Sequence, residues 1–401
     1  MLHNDFTAKL IDIEEAEIEN IENNEYTITI SISLKRKTHV CPDCGAHTDN
    51  VHDYRIQKVK DLPIHGKSVI LSYRKRRYKC SSCAKSFYEK LHILPKRHRI
   101  TNRTALYSLI LLRERRSIKD IAQTLGVSAS SVFRWLRSVS CSAPKVLPRV
   151  LSIDEFRGNA GGEKFQCILT DPDKREVFDV LPVRKQEYIY GYLSQFRDKS
   201  RTEYVVMDMN SSYLEIAKTY FPGAKIIIDK FHVSRQCTWA FENVRKRVQK
   251  GLLAYERKYF KRSRKLLVAR MKSLNDEDKA AVERMLSYSS ELTNAYLLKE
   301  YFYEFMSSGN REEAAERLKW FRLQSRAAEV EEFEKVLGML RRWEKYILNA
   351  FESGYTNGYT EGINNSVKVI KRVGFGYRSF DILRTRILLV HRKDNVSLTH
   401  A

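Results

Sequence analysis

Three acidic residues stand where a protein could place ligands for a hard metal ion. Asp154 and Asp208 each fall at the end of a short apolar stretch that predicts a strand, and Glu361 opens a late helical segment. Carboxylate oxygens are the ligands that Mg²⁺ prefers in proteins. Two strand-end aspartates and one helix-borne glutamate therefore predict an all-oxygen pocket for divalent metal.

Such a pocket could carry out phosphodiester chemistry. Two ions about 3.5–4 Å apart can activate an attacking oxygen and stabilise the leaving one. Each acid also has an ordinary structural explanation, because a strand-end aspartate can cap a turn and a glutamate in a first helical turn favours the helix dipole. Their combination, beside an N-terminal region suited to DNA, favours a site for Mg²⁺ or Mn²⁺.

Two Cys-x-x-Cys hooks predict a second, structural metal site. Cys41 and Cys44 form the first hook and Cys80 and Cys83 the second, while the other three of the seven cysteines stand alone. Four thiolates are a typical tetrahedral set for one zinc ion. A zinc ribbon of this size has little apolar core, so we expect the metal to supply its folding energy.

A helix-turn-helix pattern follows the second hook. Residues 101–139 predict three helices, with Ser117 and Ser128 as caps and Gly126 as the turn between the last two. In such motifs the second helix of the pair enters the major groove of DNA. The side chains expected to reach bases and phosphates are Ser130, Ser131, Arg134 and Arg137.

The net charge and its distribution along the chain favour a nucleic-acid partner. The chain of 401 residues has a net charge of +23, of which residues 51–150 hold +18. Charge concentrated on this scale favours a polyanion. No apolar run approaches the ~18 residues of a membrane span, and the N-terminus lacks a signal-peptide layout. We therefore expect no membrane partner and a cytoplasmic, nucleoid-associated location.

From residue 149 the pattern changes to alternating strands and helices. Three strands linked as hairpins, followed by helix, strand, helix, strand and helix, predict a ribonuclease-H-like α/β domain. Strand alternation places Glu155 on the face opposite Asp154. Later helical spacing predicts that Trp320 and Trp343 are core residues, and that a final helix over 379–392 completes the cover of the sheet.

The predicted fold class is α/β, with the ribonuclease-H-like catalytic domain interrupted by an all-helical insertion and preceded by a zinc ribbon and a helix-turn-helix. The predicted domains are the N-terminal strand and zinc ribbon at 1–95, the helix-turn-helix at 96–146, the first catalytic part at 147–251, the helical insertion at 252–350 and the second catalytic part at 351–401.

The chain resembles the ISL3 family of bacterial insertion-sequence transposases, which are DDE enzymes. The motifs CPDCG, CSSC, SIDEF, VVMDMN, IIIDKFHV and NGYTEGINNSVKVIKRVGFGYRSF carry the resemblance over nearly the whole length. It implies a catalytic triad of Asp154, Asp208 and Glu361, with Asp229 and His232 accessory to the site. The basic residues after Glu361 that we expect to contact DNA are Lys368, Lys371 and Arg372.

The resemblance also implies a reaction. A transposase would bind the terminal inverted repeats of its element, cleave the element ends and join the 3′-OH to target DNA, using two metal ions. Enzymes of this general type act as multimers on paired ends, so we expect a homo-oligomer. Two alternatives stay open from the residues: a zinc-ribbon DNA-binding regulator, or a nuclease, on the same fold.

Overall fold

The computed structural model describes residues 8–392 and the backbone of 397–398. The chain divides into two compact units. One comprises the chain up to Ser142 together with the chain from Val367 onward, and the other comprises Ala143–Ser366. None of the helices in the described part of the chain is long and apolar enough to cross a membrane.

The first unit begins with a five-stranded sheet. Its strands are β1 (Ala16–Asn23), β2 (Thr27–Leu34), β5 (Val51–Ile64), β6 (Lys67–Lys79) and β7 (Ser86–Tyr88), and short β3 (His39–Val40) and β4 (His47–Thr48) pair separately. The strand order is β1-β2-β6-β5, with β7 also on β6. Strict alternation in β2 buries Ile28, Ile30 and Ile32, as its pattern predicts.

This sheet has an apolar core of its own. Val69, Leu71 and Tyr73 of β6 pack with the isoleucines of β2 and with Val59 of β5, and each is almost wholly buried. The expectation that this region has little apolar core is therefore wrong, whereas the contribution of zinc to its folding stays a prediction. Strands β1 and β5 enlarge this core through Ala16, Ile18 and Val59.

Three helices follow, α1 (Asn102–Arg113), α2 (Ile118–Thr124) and α3 (Ala129–Arg137). The hydroxyls of Ser117 and Ser128 accept hydrogen bonds from the backbone N–H groups of Asp120 and Ser131, so the predicted caps are confirmed. Buried Ile121, Leu125, Val132 and Leu136 form the shared core.

The last helix lies elsewhere than predicted. Helix α14 (Phe380–His391) packs Ile382 and Leu389 into the core of α1–α3, and the Arg113 guanidinium donates to the Leu389 carbonyl at 3.0 Å. It thus packs within the first unit, whereas the prediction assigned it to the sheet of the second. Backbone pairing of β8 (Val139–Ser140) with β14 (Ser397–Leu398) joins the same regions.

The second unit contains a five-stranded sheet in the order β11-β10-β9-β12-β13. Its strands are β9 (Val150–Phe156), β10 (Gln166–Asp171), β11 (Glu176–Leu181), β12 (Tyr204–Met207) and β13 (Lys225–Ile228). The first three pair antiparallel, whereas β12 runs parallel to both β9 and β13. The strands are buried almost throughout, which explains their unbroken apolar runs.

Helices surround this sheet, and the described chain between β13 and residue 366 contains no further strand. The helices of the unit are α4 (Gln186–Ser194), α5 (Ser211–Tyr220), α6 (Lys230–Lys250), α7 (Ala254–Arg262), α8 (Arg264–Val268), α9 (Asp276–Leu286), α10 (Ser290–Met306), α11 (Arg311–Ala328), α12 (Glu331–Ser353) and the start of α13 (Gly358–Val373). Trp343 is a core residue as predicted, but Trp320 is 50% exposed and meets Tyr301 edge-on.

Candidate active site

Three aspartates stand in a row at the carboxyl ends of neighbouring strands. In the parallel ladders, Ile153 lies opposite Met207, and Met207 lies opposite Ile228. The residues that follow on the three strands are Asp154, Asp208 and Asp229. Asp154 and Asp208 therefore lie side by side on paired strands, and Asp229 extends the row.

A buried asparagine contacts all three aspartates. The Asn357 amide Nδ2 donates to Asp154 Oδ2 at 3.2 Å and to Asp208 Oδ1 at 3.4 Å, and its backbone N–H donates to Asp229 Oδ1 at 3.2 Å. Its own Oδ1 accepts from the Ser152 hydroxyl at 2.6 Å. The sequence alone does not identify this residue, because an Asn-Gly pair at a helix start signals only a turn.

A polar network fastens the start of α13 to the sheet. The Thr360 hydroxyl lies 3.0 Å from that of Ser152 on β9 and 2.8 Å from that of Thr170 on β10, and all three residues are buried. One turn later, Asn364 Nδ2 donates to Asp154 Oδ2 at 2.9 Å. Buried, mutually satisfied hydroxyls hold an element in a single position.

Glu361 lies on the part of α13 that this network fixes. Asn357, Glu361 and Asn364 follow at spacings of four and three, so they share one face of the helical turn. Both asparagines donate hydrogen bonds to Asp154. Glu361, which lies between them in the sequence, is half-buried. That Glu361 faces the aspartates stays a prediction, which its spacing from the two asparagines favours.

Histidine 232 balances the negative charge of the row. Its Nδ1 lies 3.0 Å from Asp208 Oδ1 and 3.1 Å from Asp229 Oδ2, and the three side chains form one compact cluster. The hydrogen bonds to Asp208 and Asp229 raise the pKa of His232 to about 10. Burial, helped by the charge of Asp208, raises the pKa of Asp154 to about 7.

The donor atoms around Asp154 suit a hard cation. Asn364 Oδ1 is buried and has no hydrogen-bond partner, which is costly for an amide oxygen. A cation bound by the neighbouring carboxylate would satisfy that oxygen. Carboxylate and amide oxygens are ligands for Mg²⁺ or Mn²⁺, in contrast to the thiolates and imidazoles that softer metals select.

A pocket of about 220 Å³ opens beside the row. It is lined by Glu155, Asp208, Met209, Asn210, Tyr213, His232 and Gln236. Glu155 forms an ion pair with Arg184 and accepts from the Tyr213 hydroxyl at 3.3 Å, whereas Asp154 faces α13. The opposite orientation of the two acids is confirmed, but Glu155 still borders the site.

The helix-turn-helix presents most of its predicted DNA contacts. Ser130, Arg134 and Arg137 are exposed on α3 and line a shallow cavity together with Phe133. The guanidinium of Arg137 lies 5.4 Å from the Phe133 ring. Ser131 differs from its prediction, since it is buried at the helix start with its hydroxyl bonded to that of Ser128.

Three basic residues of α13 were also predicted to contact DNA. They lie in the part of that helix that belongs to the first unit. Lys368 and Arg372 are exposed, whereas Lys371 is half-buried.

The two cysteine hooks meet. Cys41 Sγ lies 3.6 Å from Cys83 Sγ, and Cys44 Sγ lies 3.6 Å from Cys80 Sγ. Tetrahedral zinc, with Zn–S bonds of about 2.3 Å, requires sulfurs roughly 3.8 Å apart. Backbone N–H groups within the hooks lower the pKa of Cys41 and bring that of Cys80 to about 6. The pKa of Cys83 is instead raised to about 12 by its hydrogen bonds with the neighbouring thiols, so the spacing of the four sulfurs is what indicates a site for one metal ion.

Comparison with known protein families finds three matches in sequence order. A zinc-finger model of the transposases of IS204, IS1001, IS1096 and IS1165 matches residues 37–83. A helix-turn-helix model of transposase family ISL3 matches residues 89–140. The ISL3 transposase-domain model, described as a transposase, matches residues 151–387.

Individual proteins agree with the family models. The transposase for insertion sequence element IS1001 from Bordetella parapertussis is 26% identical over 363 residues, which are 87% of this chain and 88% of that protein. A protein named ATP-dependent protease from Lactococcus lactis subsp. lactis is 36% identical over 61 residues. That segment covers 15% of this chain and 20% of the protein, too little to indicate a shared function.

Proposed function

Because the chain belongs to the ISL3 family of transposases, we propose that it binds the terminal inverted repeats of an insertion sequence, cleaves the element ends and joins the 3′-OH to target DNA. The observation that carries this proposal is the row of strand-end aspartates, held against the Glu361-bearing helix by Asn357 and Asn364.

The strand order supports a ribonuclease-H-like catalytic domain. Three antiparallel strands followed by two parallel ones, in the order β11-β10-β9-β12-β13, are the arrangement predicted for that fold. The helices from α7 to α12 lie in sequence between α6, which Asp229 caps, and the helix that carries Glu361. We interpret them as an insertion into the catalytic domain.

Asp154, Asp208 and Glu361 would hold two Mg²⁺ or Mn²⁺ ions. When bound, such ions activate the attacking oxygen and stabilise the leaving one in phosphodiester displacement. The protein's own part is to hold the acids in place. Asn357 donates to Asp154 and Asp208, and so keeps both carboxylates oriented in a buried site.

Asp229 and His232 have supporting roles in this scheme. Asp229 caps α6 by accepting from the backbone N–H of His232, and it also accepts from the backbone of Asn357. It therefore ties the two helices that flank the row. The His232 imidazole offsets the charge of Asp208 before substrate and metal are present.

Recognition of the element ends is assigned to the first unit. Exposed Ser130, Arg134 and Arg137 on α3 would read the repeat in the major groove, and exposed Lys368 and Arg372 would contact phosphates. The chain would act as a homo-oligomer on two paired ends.

End binding should depend strongly on salt. The excess of +18 over residues 51–150 implies many phosphate contacts, so log affinity should fall by roughly 0.9 per neutralised phosphate for each unit of log salt. Arg134→Ala should lower the preference for terminal repeat over random duplex by about tenfold or more. Binding isotherms of both duplexes from low to high salt measure the two effects.

A lysine of the second unit provides the control for Arg134. Lys272 is 86% exposed in the second unit, and Lys272→Ala should leave the preference unchanged. A nearly flat salt response of the wild-type chain would contradict the electrostatic interpretation.

The hooks should bind one structural zinc ion. Cys80→Ser should remove it, disorder the hooks and weaken end binding, while the sheet stays folded because its apolar core does not involve the metal. Native mass spectrometry reports the zinc, and circular dichroism reports the sheet. Cys141→Ser, outside the hooks, should keep the zinc. A wild-type chain without zinc would refute the assignment.

Labelled native element ends, incubated with the full chain, Mg²⁺ and a target plasmid, test the proposed reaction. Joined product supports transposition, cut product alone indicates a nuclease, and binding without product indicates a regulator. Only the first result agrees with the proposal.

A further inference from the structure

Helix α6 carries an exposed stripe that packing does not explain. Its opposite face buries Val233, Cys237, Phe241 and Val244 in the core. The exposed stripe, at spacings of three and four residues that align along one side of a helix, consists of Phe231, Arg235, Trp239, Asn243, Lys246 and Lys250. Phe231 is 56% and Trp239 48% exposed, unusual for rings of this size.

The stripe is basic and contains no acidic residue. The Arg235 guanidinium lies 4.4 Å from the centre of the Trp239 ring. Among the residues that the structure describes, none of Arg235, Lys246 and Lys250 has a carboxylate within ion-pair distance, whereas neighbouring Arg247 pairs with Glu291 and Glu332. The stripe therefore has positive charge available for an anionic partner.

The stripe begins at the candidate active site. His232, next to Phe231, contacts Asp208, and Gln236, next to Arg235, lines the same pocket as Asp208. Trp239 lies seven residues beyond His232, about 10 Å along the helix axis at ~1.5 Å per residue. With stacked bases about 3.4 Å apart, this distance corresponds to roughly three nucleotides from a phosphate at the aspartate row.

The chemistry of the stripe fits a nucleic-acid strand better than a second copy of this chain. Aromatic rings with arginine are stacking platforms for bases, and the lysines farther along suit phosphates. A copy of the same chain would bring a net charge of +23 against a basic surface.

We propose that the α6 stripe guides the donor DNA strand to the aspartate row, and that Trp239 stacks on a base unpaired a few nucleotides from the scissile phosphate. The proposal rests on the proposed transposase function of the same site. The assignment separates strand guidance by α6 from repeat recognition by α3.

The rates at which the Trp239→Ala and Trp320→Ala variants cleave the element ends test the proposal. Both tryptophans are about half exposed, but Trp320 lies on α11 and packs against Tyr301. On fully paired ends, Trp239→Ala should cleave about 10- to 100-fold more slowly than wild type, and Trp320→Ala within about twofold of it. Ends mismatched over the three flanking pairs should restore much of the loss, because the base is already unpaired.

Two cleavage outcomes would overturn the proposal. One is an undiminished rate in Trp239→Ala. The other is an equal loss on paired and mismatched ends, which would indicate a purely structural role for the tryptophan.

A second measurement does not need catalysis. In an Asp208→Asn background, single-stranded oligothymidine should quench part of the tryptophan fluorescence, and that part should vanish in Trp239→Phe but persist in Trp320→Phe. If the Trp239→Phe variant kept the full quenching, the proposed stacking of Trp239 on a base would be overturned. If the wild-type chain cleaved nothing while the quenching behaved as expected, the proposed function would fail and the strand contact would stand.

Discussion

Asp154→Asn, Asp208→Asn and Glu361→Gln should each abolish end cleavage and strand transfer while leaving end binding near wild type. Each change keeps shape and hydrogen-bonding capacity but removes a charge that would hold metal. Losing several kcal/mol of charge stabilisation corresponds to about a thousandfold or more in rate. Binding should persist because the recognition helix and the aspartate row belong to different compact units.

The control must be an acid of the same sheet outside the site. Glu155 is unsuitable because it lines the pocket with Asp208. Asp179 on β11 is buried and accepts from the Tyr192 hydroxyl at 2.8 Å, so Asp179→Asn should cost some stability and little cleavage. Asp229→Asn should be milder than the triad changes, since asparagine can still cap α6. If the Asp208→Asn variant still cleaved the element ends, the assignment of Asp208 to the metal site would be contradicted.

Asn357→Ala should reduce cleavage about a hundredfold. The change removes two donors to the aspartates and leaves the buried Ser152 hydroxyl without its acceptor, at a cost of about 1–3 kcal/mol in stability. Cleavage rates and urea unfolding of the same preparations measure both effects.

Asn349 provides the matched control. It is also a buried asparagine of the second unit, and its amide donates to the Ile226 carbonyl at 2.7 Å and accepts from Arg311 at 2.8 Å. Asn349→Ala should lose similar stability and keep cleavage at temperatures where it is folded. Equal cleavage by the two variants would show that Asn357 is only a packing residue.

Elements of both units could be predicted where their local signals agree with their tertiary structure. The strand over Val150–Phe156 and the caps at Ser117 and Ser128 match their patterns closely. Helix α6 starts at Lys230, directly after the strand, because Asp229 is both a strand-end acid and a helix cap.

Other features depend on contacts that no local pattern reports. Strand β5 was missed because Val59 and Asp61 are its only buried residues, so it has no alternating apolar run like that of β2. Helix α14 was assigned to the wrong core because an apolar face does not specify which surface it covers. Asn357 was missed for a related reason: its role is defined by three strands distant from it in sequence.

Localised cleavage of the polypeptide by bound iron tests the metal site most directly. Fe²⁺ replaces Mg²⁺ in the zinc-loaded full chain, and ascorbate with peroxide then cuts the backbone near the ion. We expect cuts close to Asp154, Asp208 and Glu361, suppressed by excess Mg²⁺ and lost in Asp208→Asn. Cuts that fall elsewhere, or that persist unchanged in Asp208→Asn, would contradict a metal site at the strand-end aspartates.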